Sequence, residues 1–423
     1  MLTDTIRTAS SCADDSEPGV LGVHQARERI LAALPPLQGE ERVALRAGLG
    51  RVLAREVISP LDVPGHDNSA MDGYALDGSQ LPESGFLDLE VIATLPAGGR
   101  FDGVCSAGQC VRIMTGAPIP EGTDTVVMQE HVLRLEDGRV RIGTGERRGQ
   151  NVRRAGEDIA AGRAVLQAGK QLTPADLGIL ASIGIAEVSV RRRVRVAFFS
   201  TGDELRGIGE PLQEGEVYDS NRYSLYGMLH RLDAEILDMG VVRDEPAALR
   251  EAFDSAASLA DVVITSGGVS VGEADYTKAI LEEMGEMNFW KIAMKPGRPL
   301  AFGRLGNALF FGLPGNPVAV MVTFYQFVLP ALQQLLTGQP WKPFVLRATL
   351  KSPLRKRPGR YEFMRGILAQ QEDGSLVVES VGQQGSGILT SMSRGNCFIL
   401  LDEEQGDLAA GREVPVQPFA ALV

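Results

Sequence analysis

The chain is poor in the residues that usually announce chemistry. Its four cysteines, Cys12, Cys105, Cys110 and Cys397, form no C-x-x-C pair, which argues against structural zinc and thioredoxin-like redox work. Cys105 and Cys110 are close enough in sequence to cross-link. Residues 1–20, however, carry Asp4, Asp14, Asp15 and Glu17 and no apolar segment of signal-peptide length, so a reduced, soluble, cytoplasmic protein is expected. With only His24, His66, His131 and His230, no histidine-rich metal motif is available. G-x-x-x-x-G-K-[ST] is missing, which disfavours a P-loop NTPase. Positive charge is also short: the net charge is −12, so no basic sheath for nucleic acid is expected. The most apolar stretch, 317–336, is broken by Thr323, Tyr325, Gln326 and Pro330; that suits a core helix better than a membrane span.

Glycine, in contrast, is abundant, 49 of 423 residues, against a usual share of about 7%. The excess predicts many turns and short strands, and the length allows roughly three domains at about 150 residues each. Residues 1–20 are polar and without period, the composition of a disordered segment. Residues 22–34 place Val23, Ala26, Ile30 and Leu34 on one helical face. From 51 to 154, β-rich runs punctuated by Gly, Pro and Asp, with Asp137-Gly138 as a hairpin turn, predict a small inserted β domain. Thr173 and Pro174 signal a helix start, and 21–50 with 155–190 are read as one helical linking lobe. Over 191–338, strands at 194–199, 234–239, 261–265, 288–294 and 308–311 alternate with helices at 220–232, 246–259, 275–284 and 317–336. That predicts an α/β domain with a mostly parallel sheet. Residues 339–423 are β again.

The chemistry gathers in the α/β segment. Thr265-Ser266-Gly267-Gly268-Val269-Ser270 follows an apolar strand, and glycines there let backbone N–H groups approach an anion. Gly312-Leu313-Pro314-Gly315-Asn316-Pro317 sets Asn316 as a helix N-cap and Pro317 at the first helical position. Within 289–295, alternation puts Lys291 and Lys295 on one strand face. With Arg298 they make either an oxyanion-binding row or a solvated face of ordinary lysines. Asp244 and Asp275 fall after strands, where they serve either a Mg²⁺ site or a helix cap. Glu204, in Thr201-Gly202-Asp203-Glu204, is a strand-end carboxylate or part of a plain acidic helix start. The run Arg355-Lys356-Arg357 reads as a solvated linker or a sheet edge.

Six stretches in this order resemble the molybdopterin molybdenumtransferase family (MoeA and the E domain of gephyrin). They are Asn68-Ser69-Ala70-Met71-Asp72-Gly73-Tyr74-Ala75, Arg112-Ile113-Met114-Thr115-Gly116-Ala117-Pro118, Ser200-Thr201-Gly202-Asp203-Glu204-Leu205, Thr265 to Lys278, Lys295-Pro296-Gly297-Arg298-Pro299, and Gly312 to Val320. The resemblance runs from about residue 22 to the C-terminus. It implies an elongated four-domain homodimer with a molybdopterin-binding-like α/β domain, an inserted small β domain and a C-terminal β-barrel. The implied reaction takes adenylylated molybdopterin and molybdate to molybdenum cofactor and AMP with Mg²⁺. The adenylylating enzyme and apo-molybdoenzymes are the implied protein contacts.

By the same resemblance Asp244, Asp275 and Glu204 hold metal or water, while Lys291, Lys295 and Arg298 contact oxyanion and pyrophosphate. Gly267, Gly268 and Ser270 cradle phosphate, and Pro314 and Pro317 border the substrate. Arg365 and Ser386 match positions linked to the molybdate pocket, and Asp72 and Thr115 reach the partner subunit's site. Arg298 departs from the family's usual Lys, which keeps the charge but changes its geometry; His66 stands where an aromatic is common. Two other readings share the fold: a pterin-binding scaffold without turnover, and an adenylyltransferase acting on molybdopterin. The intact set Asp244, Asp275, Lys291 and Lys295 argues for an enzyme, and the extra β domains and the Asp72 loop for the metal-inserting member.

Overall fold

The computed structural model describes residues 20–268 and 276–422. They form two units, one of residues 40–191 and one that joins residues 20–39 to 192–268 and 276–422.

The larger unit is organised by a seven-stranded sheet. Its strands are β1 (Arg195–Thr201), β2 (Glu235–Val242), β3 (Val262–Ser266), β4 (Gly285–Ile292), β5 (Pro299–Leu305), β6 (Ala308–Leu313) and the two-residue strand Val20–Leu21. The order from one edge is Val20–Leu21, β4, β5, β6, β3, β1, β2. The four strands β6, β3, β1 and β2 run parallel, whereas β5 is antiparallel to both its neighbours. The sheet is therefore mixed but mostly parallel, as expected: β5 alone runs against the other six strands. Strand β5 is not evident in the sequence because Pro299 and Gly303 lower its strand propensity.

Alternation along the strands sorts side chains to two cores. Val196, Phe198, Val262, Ile264 and Phe311 pack on one face. Ala197, Phe199, Val263 and Phe310 pack on the other, against Leu249 and Phe253 of the helix Pro246–Leu259. The first face is covered by the helices Val23–Ala32 and Ser220–Arg231 and by the helical run Pro317–Thr337. Most of that run is buried, so its apolar composition serves the core. It passes through Pro330, with a π-helical turn at Phe324–Val328 just ahead, where a proline's missing N–H and ring clash have to be absorbed.

Residues 346–418 close into a five-stranded barrel: β7 (Leu346–Leu350), β8 (Tyr361–Gln370), β9 (Leu376–Ser380), β10 (Cys397–Leu401) and β11 (Glu413–Pro418). Every neighbour pairs, β8 with β9, β9 with β7, β7 with β11, β11 with β10, and β10 back with β8, which leaves no open edge.

The 40–191 unit holds a six-stranded β sheet and a second core around Leu53, Leu172, Leu180 and Val190. Helix Val23–Ala32, read from sequence as part of one lobe with 155–190, packs Val23, Ala26 and Ile30 into the core of the larger unit. Residues 40–44 pair with 187–191 instead. Its helix Pro174–Ser182 has the expected start: Thr173 and Asp176 form a reciprocal capping box. Asp176 also takes a bond from Lys170 Nζ at 2.6 Å. Burial, the largest influence on Asp176, pushes its pKa up, yet the bonds from Lys170 and Thr173 together bring it below the usual carboxylate value.

A depressed folded pKa means that this stabilisation is present above the unfolded pKa of about 3.9 and is lost as pH falls through the folded value. Asp176→Ala is expected to cost about 1–2 kcal/mol at pH 7. In urea denaturation followed at several pH values, the gap from wild type closes in acid.

Candidate active site

The functional side chains meet where the parallel strands end. A cavity of about 560 Å³ is lined by the turns after β1, β3 and β6, by the 294–299 segment and by the barrel loop at 384–386. This is the crevice outside the carboxyl ends of strands where open α/β sheets bind ligands.

Each wall has a local cause. After β1, Gly202–Leu205 is a turn closed by Leu205 N donating to Gly202 O at 3.1 Å, not a helix start, and it presents Glu204 to the cavity. After β3, Gly267 and Gly268 have φ of 93° and 69°. A Cβ on Gly267 would lie 2.5 Å from Thr201 O, and one on Gly268 would lie 2.9 Å from Thr201 Oγ1, so glycine is required at both. After β6, Asn316 is the N-cap of the following helix with Pro317 at the first turn, yet its side chain makes no capping bond. Asn316 lines the cavity with Pro314 and Gly315.

Strand β4 ends at Ile292 rather than running on to residue 295. Ile292 N donates to Arg298 O at 2.7 Å, and Met294–Lys295 leave the sheet to pair with Tyr361–Glu362 of β8. The alternation expected across 289–295 is therefore interrupted. Lys295 and Arg298 line the cavity, and Lys291 is not among the described residues that do. Arg360, from the same barrel strand entry, adds a third cation.

Arg365 also stands apart from the lining. It is 1% exposed and donates to Ser391 Oγ at 3.0 Å and to Gly385 O at 3.2 Å. Burial lowers its pKa to about 10. Its contact with Gly385 braces the Gln384–Ser386 loop that does line the cavity. Ser386 O in turn accepts from Val318 N at 3.0 Å, which fastens that loop to the helix N-terminus. Asn221, which the sequence shows only as the second residue of a helix, donates to Ser266 Oγ at 2.8 Å and Gly315 O at 2.7 Å, tying two of the walls together.

Asp72 and Thr115 belong to the 40–191 unit, where Thr115 N and Oγ1 donate to Asp72 Oδ1 at 2.7 and 2.8 Å. Those bonds hold the Asp72 carboxyl below its usual range. Ser270 and Asp275 lie outside the described residues.

The electrostatics are lopsided. Asp244 is half-buried and its Oδ1 has no partner among the described residues; the N-cap of the next helix is Glu245, so Asp244 is not a capping group. Burial first, then the charges of Asp203 and Glu204, raise its pKa. Asn221 Oδ1, Thr201 Oγ1 and Thr323 Oγ1 are likewise buried without partners. Buried oxygens without partners call for an explanation, and hard cations take oxygen ligands. Among the described residues no three acidic, histidine or cysteine side chains gather into one cluster. Mg²⁺, however, needs only one or two carboxylates beside water and phosphate oxygens, and Glu204 and Asp244 meet that requirement.

Glycine nests, three cations and two carboxylates around one crevice make a site suited to a multiply charged, phosphate-bearing anion. Comparisons with known proteins name the chain further. Residues 21–184 match the model of the MoeA N-terminal region (domains I and II), 197–334 that of a probable molybdopterin-binding domain, and 347–419 that of the MoeA C-terminal region (domain IV). The chain is 48% identical over 405 residues to a molybdopterin molybdenumtransferase of Haemophilus influenzae, covering 96% of this chain and 100% of the relative. It is 35% identical to one from Bacillus subtilis, covering 90% of each. A crystal structure of a molybdopterin biosynthesis MoeA protein from Pyrococcus horikoshii aligns with a TM-score of 0.79 at 32% identity, covering 95% of this chain and 99% of that one. The chain belongs to the MoeA family.

A raised folded pKa makes ionised Asp244 a stability cost that grows as pH rises from the unfolded to the folded value. Asp244→Asn is therefore expected to raise the melting temperature of the metal-free protein at pH 7. The gain shrinks on acidification, and a lower melting temperature at pH 7 would refute this account.

Proposed function

We propose that this chain inserts molybdate into adenylylated molybdopterin, releasing AMP and molybdenum cofactor. Molybdopterin molybdenumtransferase activity in molybdenum cofactor biosynthesis follows from family membership and from the relatives' shared length. The finer reading rests on one observation: cations and the unpartnered Asp244 Oδ1 line the same crevice. Molybdate, a pterin phosphate and a pyrophosphate link are all anions.

Lys295 and Arg298 orient the oxyanion, and the backbone at Gly267–Gly268 gives N–H groups room to approach a phosphate. Glu204 and Asp244 hold Mg²⁺, whose contribution when bound is to neutralise charge on phosphate oxygens. Preorganised donors of this kind act where charge grows in the transition state, and losing one costs roughly 10²–10³ in rate. The reaction is assigned to the cytoplasm, in keeping with Cys105, Cys110 and Cys397, which are buried and unbridged.

AMP release from adenylylated molybdopterin, measured with and without molybdate and Mg²⁺, tests the reading. Molybdate-dependent release that also reconstitutes an apo-molybdoenzyme is expected. Tight pterin binding with no AMP release would make the chain a carrier. Lys295→Ala is expected to lower the rate about 10²-fold; an unchanged molybdate dependence would remove Lys295 from the site.

Asp72 and Thr115 are read as completing the partner subunit's site in a homodimer. Mixing inactive Asp72→Ala and Asp244→Ala subunits should then restore part of the activity, because mixed dimers regain one intact site. No recovery from subunits shown to exchange would reject the shared-site reading.

A further inference from the structure

The Arg355-Lys356-Arg357 run, expected to be a solvated linker or a sheet edge, instead walls a second cavity of about 730 Å³. Lys295 and Arg360 line this cavity as well as the first, so the two adjoin across shared cations. Five cationic side chains, Lys295, Arg355, Lys356, Arg357 and Arg360, face two acids, Glu362 and Asp407. This positive concavity sits in a chain whose net charge is −12. A cleft lined by one sign of charge concentrates the opposite sign.

The acids are already engaged. Asp407 Oδ1 accepts from Lys356 N at 2.8 Å, and Glu362 Oε2 lies 3.7 Å from Lys295 Nζ. Three of the cations keep donors to spare. Lys356, 4% exposed, donates to the carbonyls of Arg357 and Gln405 at 3.2 and 3.1 Å, two bonds from an ammonium that has three protons. Arg355 and Arg357 are exposed and have no ion-pair or hydrogen-bond partner among the described residues. Burial also lowers the Lys356 pKa, a cost that an anion in the cavity would offset.

We propose that this cavity is a subsite for a nucleoside monophosphate, and that it receives the nucleotide released at the first cavity. The second half of the statement rests on the transfer reading above; the binding itself does not. A terminal phosphate monoester carries about two charges near neutral pH, more than a bridging phosphate. Guanidinium groups match it with paired N–H donors and stack on bases through their planar faces. The volume lies within the usual range of about 300–1,000 Å³ for small-molecule sites and is far larger than a bare oxyanion needs. Lys295 and Arg360, common to both cavities, keep the phosphate in contact with fixed positive charge as it passes from one to the other.

Calorimetric titration of the full-length protein with AMP, inorganic phosphate and adenosine tests the subsite without any turnover. AMP is expected to bind more tightly than phosphate, and adenosine not to bind. Arg355→Gln/Arg357→Gln should weaken AMP about ten-fold or more, the loss of at least one charge-assisted contact. Molybdate binding and the melting temperature should stay at their wild-type values. Equal affinity for AMP in wild type and double variant would overturn the proposal. So would phosphate binding as tightly as AMP, which marks a free-oxyanion site, or adenosine binding as tightly as AMP. Loss of AMP affinity in the double variant, in a protein that releases no AMP from its substrate, would keep the subsite and reject the transfer reading alone.

Discussion

The architecture of the site depends on one short strand pairing. Met294 and Lys295 leave the sheet and pair with Tyr361 and Glu362 of the barrel, and Tyr361 N donates to Ala293 O at 2.8 Å next to that step. Backbone pairing of this kind sets register to the residue, because a slip of one position turns every side chain to the opposite face. Here it places Lys295 at the junction of two cavities. It also brings Arg360 and the Gln384–Ser386 loop of the barrel to the crevice of the α/β sheet. The second fastening, Val318 N to Ser386 O, joins the same loop to the helix that starts at Pro317. A catalytic constellation has to be held within a fraction of an ångström, and two backbone contacts between rigid elements provide that support.

Around this frame the protein keeps features that a purely structural core would lose. Asp244 Oδ1, Asn221 Oδ1 and Thr201 Oγ1 are buried without partners among the described residues. Desolvation first, then its acidic neighbours, raise the pKa of Asp244. Each is unfavourable by itself, and each would become favourable with a ligand that supplied the missing bonds. The glycines obey the same logic. A side chain at Gly267 or Gly268 would collide with Thr201, so the backbone stays bare where a ligand needs to approach. Arg365 shows the opposite strategy. Its buried guanidinium is satisfied by Ser391 and Gly385 and works through the loop it braces.

Local signals were legible wherever chemistry and geometry are decided within a few residues. The helix starts at Thr173–Pro174 and Pro317, the Gly267–Gly268 turn and four of the five barrel strands could be read because caps, turns and two-residue alternation depend on near neighbours; β11 (Glu413–Pro418) was not. The order of the family's motifs also identified the reaction class. Other features depend on partners far away in the chain and carry no local mark. Strand β5 exists because β4 and β6 flank it, despite Pro299 and Gly303. Lys291 and Lys295 part company because Met294–Lys295 find a better partner in the barrel than in the sheet. Asn221 becomes a tie between two turns only once β3 and β6 lie side by side. The basic run at 355–357 becomes a cavity wall only when the barrel closes. Composition, caps and motif order are written in the sequence, since they follow from short-range sterics and solvation. Which charges share a crevice was decided by tertiary structure, because long-range pairing sets where each backbone segment ends and which way its side chains point.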